Sequence, residues 1–388
     1  AVSKLLSKPS GASCSSRTDW RYNPTMDVAI IGLAQSGKTT VFNALTKGHG
    51  APTGGGGPGG EMHVGVVKVP DPRLDILDGM YHPKKVINAE ITYWDLPGAE
   101  DRSKSQSIGG RHKNILQSAD AFLVVVRTFT NPSVHNPAGS LDAGRDLSAM
   151  LEELTFSDLE VMDRAAERQD NEVKKAKPAD RQTMTRHLDA VNNAKKALED
   201  GVPLRRQDLS PSEMEFLSAY QLLTAKPVIV AFNTDETGPD VDMTQLGLDD
   251  SAIHTLGQVS LCGKLEEDLS LMSDEDDAMF REELGVGEPA TLKVINVSYG
   301  TLGLISFLTV GEDEVRAWTI PADLPAQEAA GAVHSDFIRG FIRAEVIPYD
   351  DLVRCGGIPQ GRKEGVLRSE GKTYLVKDGD VINFLINV

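Results

Sequence analysis

The chain has 388 residues, 40% of them hydrophobic, and a formal net charge of −17 at pH 7. A chain of this length predicts two or three domains with substantial cores. The acidic charge argues against a protein that coats nucleic acid, because neutralising phosphates requires clusters of Lys and Arg, so any contact with RNA must be local.

The first 25 residues are interpreted as a tag or an extension outside the folded domains. They are rich in Ser and Lys, contain no Met and lack the apolar centre of a secretion signal. No apolar run in the chain approaches the ~18 residues of a membrane span, so we expect a cytoplasmic protein without a membrane partner.

Cys14, Cys262 and Cys355 are widely spaced and odd in number, which predicts reduced thiols and no zinc site.

A phosphate-binding loop is the clearest motif in the chain. The segment from Gly32 to Thr39 reads G-x-x-x-x-G-K-T and follows the apolar run Val28–Ile31. Such a loop turns backbone N–H groups toward phosphate oxygens, places a lysine on the β- and γ-phosphates, and offers a hydroxyl to Mg²⁺. A chance glycine turn is the alternative, but strand, loop and the helical run Thr40–Leu45 occur in the required order. The predicted nucleotide contacts in this segment are Gly32, Ala34, Gln35, Ser36, Gly37, Lys38, Thr39 and Thr40.

Four residues are predicted to act on the triphosphate and its metal ion. Lys38 would contact the β- and γ-phosphates, and Thr39 would ligate Mg²⁺. Asp95 ends an apolar strand, where its carboxylate would hold Mg²⁺, and Gly98 would bring an N–H group to the γ-phosphate in a D-x-x-G pattern. We therefore expect Lys38, Asp95 and Gly98 to be catalytic, and Thr39 and Asp95 to bind the metal.

The other apolar segments predict an α/β fold with a parallel, doubly wound sheet. Further strands are expected at Val64–Val69, Ala89–Trp94, Ala121–Val126 and Val228–Phe232, with helical segments between them. Six glycines surround one proline at 54–60, which predicts a mobile loop after the first helix.

The stretch between the last two of these strands is predicted to be an insertion of helices. A charged helix is expected at 151–176, followed by a second helix that ends at Gly201 and has one face marked by Met184, Leu188, Val191 and Leu198. The two helices would form an antiparallel arm, either as a solvated scaffold or as a partner-binding surface. A third helix is expected to begin at a capping box that runs from Ser210 to Glu213.

From Val315 onward, short strands with Gly and Asp turns predict a separate small α+β domain, with strands at Thr373–Val376 and 381–388. The expected division of the chain is therefore a P-loop nucleotide-binding domain at 26–140 and 226–305, an inserted helical arm at 141–225, and a C-terminal domain at 306–388.

Asn233 closes a strand at the carboxyl edge, where bases bind in open parallel sheets, and it begins the segment Asn233-Thr234-Asp235-Glu236. Guanine-specific enzymes of this architecture have N-K-x-D there, and the Asp accepts two hydrogen bonds from guanine. Glu236 is one methylene longer, and adenine has no 2-amino donor, so this departure favours adenine. The alternative is that Glu236 faces water and guanine still binds. The predicted base contacts here are Asn233, Thr234 and Glu236.

Several further segments carry a family resemblance: Val64–Val67, Pro70–Leu74, Cys262–Glu266, Glu314–Thr319, Phe341–Val346 and Val376–Val381. In these segments and in Asn233-x-x-Glu236 the chain resembles the YchF/Obg-like ATPases, of the translation-factor class of P-loop GTPases, over about residues 26–388. The resemblance implies a coiled-coil arm inserted in the nucleotide-binding domain and a C-terminal TGS domain of β-grasp shape. It also implies ATP preferred over GTP, slow hydrolysis, and binding to the ribosome or ribosomal RNA through the TGS domain and the arm. Cys262 and Gly263, in the place of the S-A-K loop, would contact the base.

Three departures from the family pattern concern catalysis. The stretch 59–63 lacks the threonine that would help hold Mg²⁺, the second switch is altered at 99–104, and Val124 stands where a histidine is often seen. Ala99 follows Gly98 where relatives replace the water-orienting glutamine by a larger hydrophobic residue. Because the phosphate loop is intact, these changes should weaken transition-state stabilisation more than nucleotide binding.

Three functional hypotheses follow from the sequence. The first is a slow, Mg²⁺-dependent ATPase that acts as a nucleotide-controlled switch on ribosomes. The second is a scaffold that binds nucleotide but barely hydrolyses it. The third is a GTPase.

Overall fold

The computed structural model describes residues 26–47, 62–97 and 112–387, which form two six-stranded sheets covered by helices. The strands are β1 Met26–Ile31, β2 His63–Lys68, β3 Lys85–Ile87, β4 Glu90–Asp95, β5 Ala121–Arg127, β6 Val228–Asn233, β7 Leu256–Leu261, β8 Leu304–Val310, β9 Glu314–Pro321, β10 Phe341–Pro348, β11 Arg368–Glu370 and β12 Asp380–Ile386. The helices are α1 Lys38–Leu45, α2 Pro72–Tyr81, α3 Lys113–Ser118, α4 Ala143–Lys175, α5 Arg181–Glu199, α6 Pro211–Ser218, α7 Asp250–Ile253, α8 Gly263–Ser270, α9 Asp274–Leu284, α10 Ala290–Leu302, α11 Ala326–Val333, α12 Ser335–Gly340, α13 Tyr349–Cys355 and α14 Ile358–Lys363.

The first sheet has the strand order β2-β4-β1-β5-β6-β7. Strands β4, β1, β5, β6 and β7 are parallel, and β1, β5 and β6 are apolar on both faces because helices cover both sides. All five strands predicted for this sheet are present within two residues of their expected bounds. One edge strand departs from the parallel expectation, since β2 runs antiparallel to β4. It leaves Val64 and Val66 exposed, as an antiparallel edge strand with one solvated face can do.

Strand β7 extends the sheet beyond the strands that the sequence predicts. Its segment contains Gly257 and the polar residues Gln258 and Ser260, which interrupt the apolar pattern. Gly257 has a packing role, because a Cβ there would lie 2.2 Å from Oγ1 of Thr301 on α10. The helix therefore packs directly against the strand backbone.

The inserted arm is a pair of long helices that pack on each other. The first helix, α4, begins at Ala143 rather than at 151, because the carboxylate of Asp142 accepts a hydrogen bond from the backbone N–H of Arg145 at 2.9 Å and caps it. Although α4 has 33 residues, it is strongly charged. No helix in the described part of the chain is both long and apolar enough to cross a membrane.

The two arm helices are joined by residues 176–180, a connection so short that they must run antiparallel. Their shared core is formed by Met162, Ala165, Val191, Ala194 and Leu198. The predicted face of α5 is buried at Val191 and Leu198 but only half-buried at Met184 and Leu188. The predicted capping box of α6 is present, with Ser210 and Glu213 each accepting the other's backbone N–H.

The second sheet has the order β11-β10-β12-β8-β9-β3. Strands β8 and β9 form an antiparallel hairpin, α11 packs on the sheet, and the last strand, β12, lies parallel to β8 in the middle. This central pairing of first and last strands is the β-grasp arrangement that the resemblance implied. The predicted strand at Thr373–Val376 is absent, since only Leu375 makes an isolated bridge, to Pro325. The segment instead turns so that the Asp380 carboxylate accepts the Lys377 N–H at 2.9 Å.

The two sheets share part of one core. Strand β3 precedes β4 in the chain but pairs in parallel with β9 of the second sheet. Helix α2 packs on β9, and its residues Leu74 and Leu77 belong to the same buried cluster as Val315, Ala317 and Ile347 of the second sheet. The C-terminal domain is therefore anchored to the segment that joins β2 to β4.

Replacing Leu77 by Ala tests this shared core. Leu77 is fully buried, so the cavity should lower the free energy of unfolding by about 2–5 kcal/mol in urea denaturation. Its neighbour Ile76 is 49% exposed on the same helix, and Ile76→Ala should change that free energy by no more than about 0.5 kcal/mol. Equal losses in the two variants would contradict the packing of α2 between the sheets.

Candidate nucleotide-binding site

The phosphate loop joins β1 to α1 at the carboxyl edge of the first sheet. A Cβ on Gly32 would lie 2.4 Å from the carbonyl oxygen of Val125, and one on Gly37 would lie 2.2 Å from Nδ2 of Asn233. Gly37 also has a φ of 90°, which favours glycine. The loop therefore packs tightly on β5 and β6. All the predicted loop residues lie in it or in the first turn of α1: Gly32, Ala34, Gln35, Ser36, Gly37, Lys38, Thr39 and Thr40.

Lys38 is buried at the beginning of α1. Its Nζ donates hydrogen bonds to the carbonyl oxygens of Gly32 and Leu33, both at 3.1 Å. Burial lowers the pKa of Lys38 to about 8, while the nearby Asp95 carboxylate acts in the opposite direction. A bound polyanion would favour the charged amine further, so the buried lysine is suited to pairing with phosphate.

Thr39 and Asp95, predicted to bind the metal, are in contact. The Thr39 hydroxyl donates to Oδ2 of Asp95 at 2.8 Å. Asp95 ends β4 and is 3% exposed, and this burial raises its pKa although Thr39 and Lys38 act against the rise. Its Oδ1 has no hydrogen-bond partner among the described residues. A hydroxyl beside a carboxylate with a free oxygen is the donor set that Mg²⁺ prefers, so these residues fit the ion.

Asn233 connects the phosphate loop to the end of the loop that leads into α8, at the helix's first residue. Its Nδ2 donates to the carbonyl oxygen of Ser36 at 3.1 Å, and its Oδ1 accepts from the backbone N–H of Gly263 at 2.9 Å. The side chain is almost completely buried at the end of β6. The amide therefore sets the distance between the two loops.

The other predicted base contacts lie around this amide. Thr234 is buried and donates its backbone N–H to the carbonyl oxygen of Leu261 at 2.8 Å, whereas Glu236 is exposed at the rim. Burial raises the pKa of the Cys262 thiol, and the nearby carboxylates of Glu236 and Asp235 raise it further. The Glu236 carboxylate therefore lies close enough to Cys262 to act on its thiol.

Some sequence predictions concern residues that the structure does not describe. Gly98 lies outside the described residues, as do the altered second switch at 99–104, the glycine-rich loop at 54–60, and residues 1–25. Val124 is fully buried within β5. Cys262 and Cys355 are free thiols, while Cys14 falls in the undescribed N-terminal part.

Two residues next to the site were not predicted. Phe129 follows β5, and its Cε1 lies 3.7 Å from the position of a Cβ on Gly37, with the Arg127 guanidinium 4.4 Å from the ring centroid. Its place just beyond the carboxyl end of a parallel strand is the signal that could have revealed it. His63, whose Nδ1 is 3.5 Å from Oδ2 of Asp95, is brought there by the pairing of β2 with β4.

A tight glycine loop between a buried parallel strand and a helix, with a buried lysine and a threonine–aspartate pair, defines a P-loop nucleotide-binding protein. A family model described as a 50S ribosome-binding GTPase matches residues 27–156. A second, YchF-GTPase_C, described as a protein of unknown function, matches residues 304–387.

Named relatives cover nearly the whole chain. The Ribosome-binding ATPase YchF of Bacillus subtilis (strain 168) is 33% identical over 94% of this chain and 100% of the relative. The protein of that name from Escherichia coli O157:H7 is 34% identical over 92% of this chain and 98% of the relative. The solved structure of the Schizosaccharomyces pombe YchF GTPase has a TM-score of 0.77 at 27% identity, covering 93% of this chain and 97% of that one. The chain belongs to the YchF family.

Replacing Asn233 by Ala tests the connection between the two loops. The change removes both hydrogen bonds and leaves the buried Gly263 N–H unpaired, so the free energy of unfolding should fall by about 1–3 kcal/mol in urea denaturation of the nucleotide-free protein. The control is Asn171→Ala, since Asn171 bonds only to a carbonyl of its own exposed helix and should change that free energy by no more than about 0.5 kcal/mol. If both variants lose the same amount, Asn233 does not hold the loops together.

Proposed function

We propose that this protein binds ATP with Mg²⁺ at the phosphate loop, hydrolyses it slowly, and acts as a nucleotide-controlled switch on ribosomes. The observation that carries this proposal is the contact of the Thr39 hydroxyl with the Asp95 carboxylate at 2.8 Å, beside the buried Lys38. The names of the relatives, Ribosome-binding ATPase YchF, support it, because the alignments extend over more than nine-tenths of this chain.

Each residue near the triphosphate has a separate role in this proposal. The loop N–H groups surround the phosphates, and the Lys38 amine pairs with the β- and γ-phosphate oxygens. Thr39 would ligate Mg²⁺ and Asp95 would hold the ion from the end of β4, so that the metal neutralises charge on the phosphates. Gly98 would donate its N–H to the γ-phosphate.

The base would bind between Asn233, Thr234 and Glu236 on one side and Cys262 and Gly263 on the other. Both polar atoms of the Asn233 amide already bond to the protein, so its main effect is to space the loops. We propose that Glu236, at the rim, favours adenine over guanine. A GTPase is the second candidate, favoured by the description of the family model that matches 27–156.

A third candidate is a scaffold that holds nucleotide but barely hydrolyses it. It is favoured by the sequence of 59–63, which has no threonine to complete the metal ligands, and by the altered second switch. Such changes lower turnover more than affinity, because a transition state depends on ligands that the ground state does not need.

We also propose how the chain is divided and where it contacts a partner. The nucleotide-binding domain would comprise 26–140 and 226–305, the arm 141–225, and a TGS domain 306–388, with 1–25 as an extension. The arm and the TGS domain would contact the ribosome or its RNA, through local patches because the chain is acidic overall, and this would take place in the cytoplasm.

Lys38→Ala should remove most nucleotide affinity and all hydrolysis. Losing a charge-assisted contact to phosphate should weaken binding of a fluorescent ATP analogue by about ten- to a hundredfold. Lys47→Ala is the matched control, because Lys47 follows the same helix but pairs with Asp274 on the surface.

In single-turnover assays with Mg²⁺ and K⁺, wild-type protein should convert ATP faster than buffer does. A wild-type rate equal to that of buffer would contradict the ATPase hypothesis.

Glu236→Asp should shift the base preference. Wild-type protein should bind the ATP analogue more tightly than the GTP analogue, and the shorter carboxylate should reduce that ratio by about tenfold. Glu288→Asp, an exposed glutamate beyond α9, should leave the ratio unchanged. Unchanged affinities for both nucleotides in Glu236→Asp would show that Glu236 does not read the base.

A further inference from the structure

The pairing of β2 with β4 brings a histidine to the metal end of the site. His63 lies directly opposite Asp95 in the antiparallel register, and its Nδ1 is 3.5 Å from Oδ2 of Asp95. The same Oδ2 accepts the hydrogen bond of Thr39 at 2.8 Å. A hydroxyl, a carboxylate and an imidazole nitrogen therefore meet beside the phosphate loop.

Two polar atoms at this point are buried without a hydrogen-bond partner among the described residues. They are Nδ1 of His63, whose 3.5 Å contact with Oδ2 of Asp95 does not form a hydrogen bond, and Oδ1 of Asp95. Buried polar atoms are almost always paired, and an unpaired one lowers stability, so two of them side by side indicate a missing ligand. A metal cation coordinated by both atoms accounts for the arrangement.

The surroundings hold the imidazole in place. The ring of Phe42 on α1 lies with its centroid 6.3 Å from that of the His63 ring, and the side chain of His63 is only one-quarter exposed. The backbone is fixed by the paired strand, whose register places His63 opposite the last residue of β4. A ligand held on a strand and packed against an aromatic ring is preorganised for binding.

We propose that His63 supplies an imidazole nitrogen to the metal site formed around Thr39 and Asp95, so that the site that holds Mg²⁺ also accepts a first-row transition-metal ion, such as Mn²⁺ or Co²⁺. The proposal rests on the proposed function, because the remaining ligands would be triphosphate oxygens and water. It deepens that function by naming the class of ion, and it gives a role to the stretch that lacks the expected threonine.

The contribution of His63 to the affinity for each ion follows from ligand chemistry. Mg²⁺ is a hard cation that binds oxygen almost exclusively, so an imidazole nitrogen adds little to its affinity. Affinity for nitrogen increases from Mn²⁺ to Co²⁺ along the divalent first-row series. The contribution of His63 should therefore be smallest for Mg²⁺, larger for Mn²⁺ and largest for Co²⁺. This graded order distinguishes a metal ligand from a histidine that only orients Asp95, which would affect all three ions alike.

The first experiment measures metal affinity in the full chain with a non-hydrolysable ATP analogue. His63→Gln should weaken Co²⁺ binding about tenfold, Mn²⁺ binding less, and Mg²⁺ binding less than about twofold, by competition titration. His254→Gln is the control, because His254 is exposed at the amino edge of the same sheet. Equal losses for the three ions would overturn the proposal, since they would indicate that His63 only positions Asp95.

A second experiment needs no variant, so it stands even if His63→Gln folds poorly. Wild-type protein carrying ¹⁵N-labelled histidine is loaded with Mn²⁺ and the same analogue, and pulsed electron paramagnetic resonance should show a ¹⁵N coupling of a directly bound histidine nitrogen. If Mn²⁺ and the analogue bind but no such coupling is seen, the inference fails while the proposed nucleotide site stands. If the analogue binds with none of the three ions, the proposed function fails and this inference with it.

Discussion

Parallel strand pairing is the constraint on which the site depends. Because β4, β1, β5 and β6 run in the same direction, their carboxyl ends lie at one edge, and the register sets Asp95 opposite Ile30 and Asn233 opposite Arg127. The phosphate loop leaves β1 at this edge, the acidic residue ends β4, and the amide ends β6. A slip of one residue would turn Asp95 to the other face of the sheet and away from Thr39.

The same edge places two buried ionisable groups close together. Burial lowers the pKa of Lys38 and raises that of Asp95, so each group is pushed toward its neutral form and each partly restores the charge of the other. A triphosphate with a cation provides what both groups lack, negative charge for the amine and positive charge for the carboxylate. The site is therefore suited to binding a nucleotide together with a metal ion.

Contacts also lead from the site toward the rest of the molecule. On one side, Asn233 ties the phosphate loop to α8, and Glu266 of α8 forms a buried two-bond ion pair with Arg281 of α9. On the other side, β2 carries His63 and continues into α2, which is buried against the C-terminal sheet. The nucleotide site is thus joined by hydrogen bonds to α8 and α9 on one side and by a buried core to the C-terminal sheet on the other.

The sequence by itself determined the local elements and the main chemistry. The phosphate loop, the five predicted strands, the antiparallel arm and the capping box at Ser210 depend on short-range patterns, so they could be located from the residues alone. The tertiary structure decided what depends on residues far apart in the chain. Asn233 lies 197 residues from Ser36, and its double role as a spacer is visible only once β6 pairs beside β5. The antiparallel course of β2 and the position of His63 opposite Asp95, like the place of β3 in the second sheet, follow from strand pairing that no local pattern encodes. Phe129 became part of the site for the same reason, because a loop residue acquires its neighbours only when the strands before it are assembled.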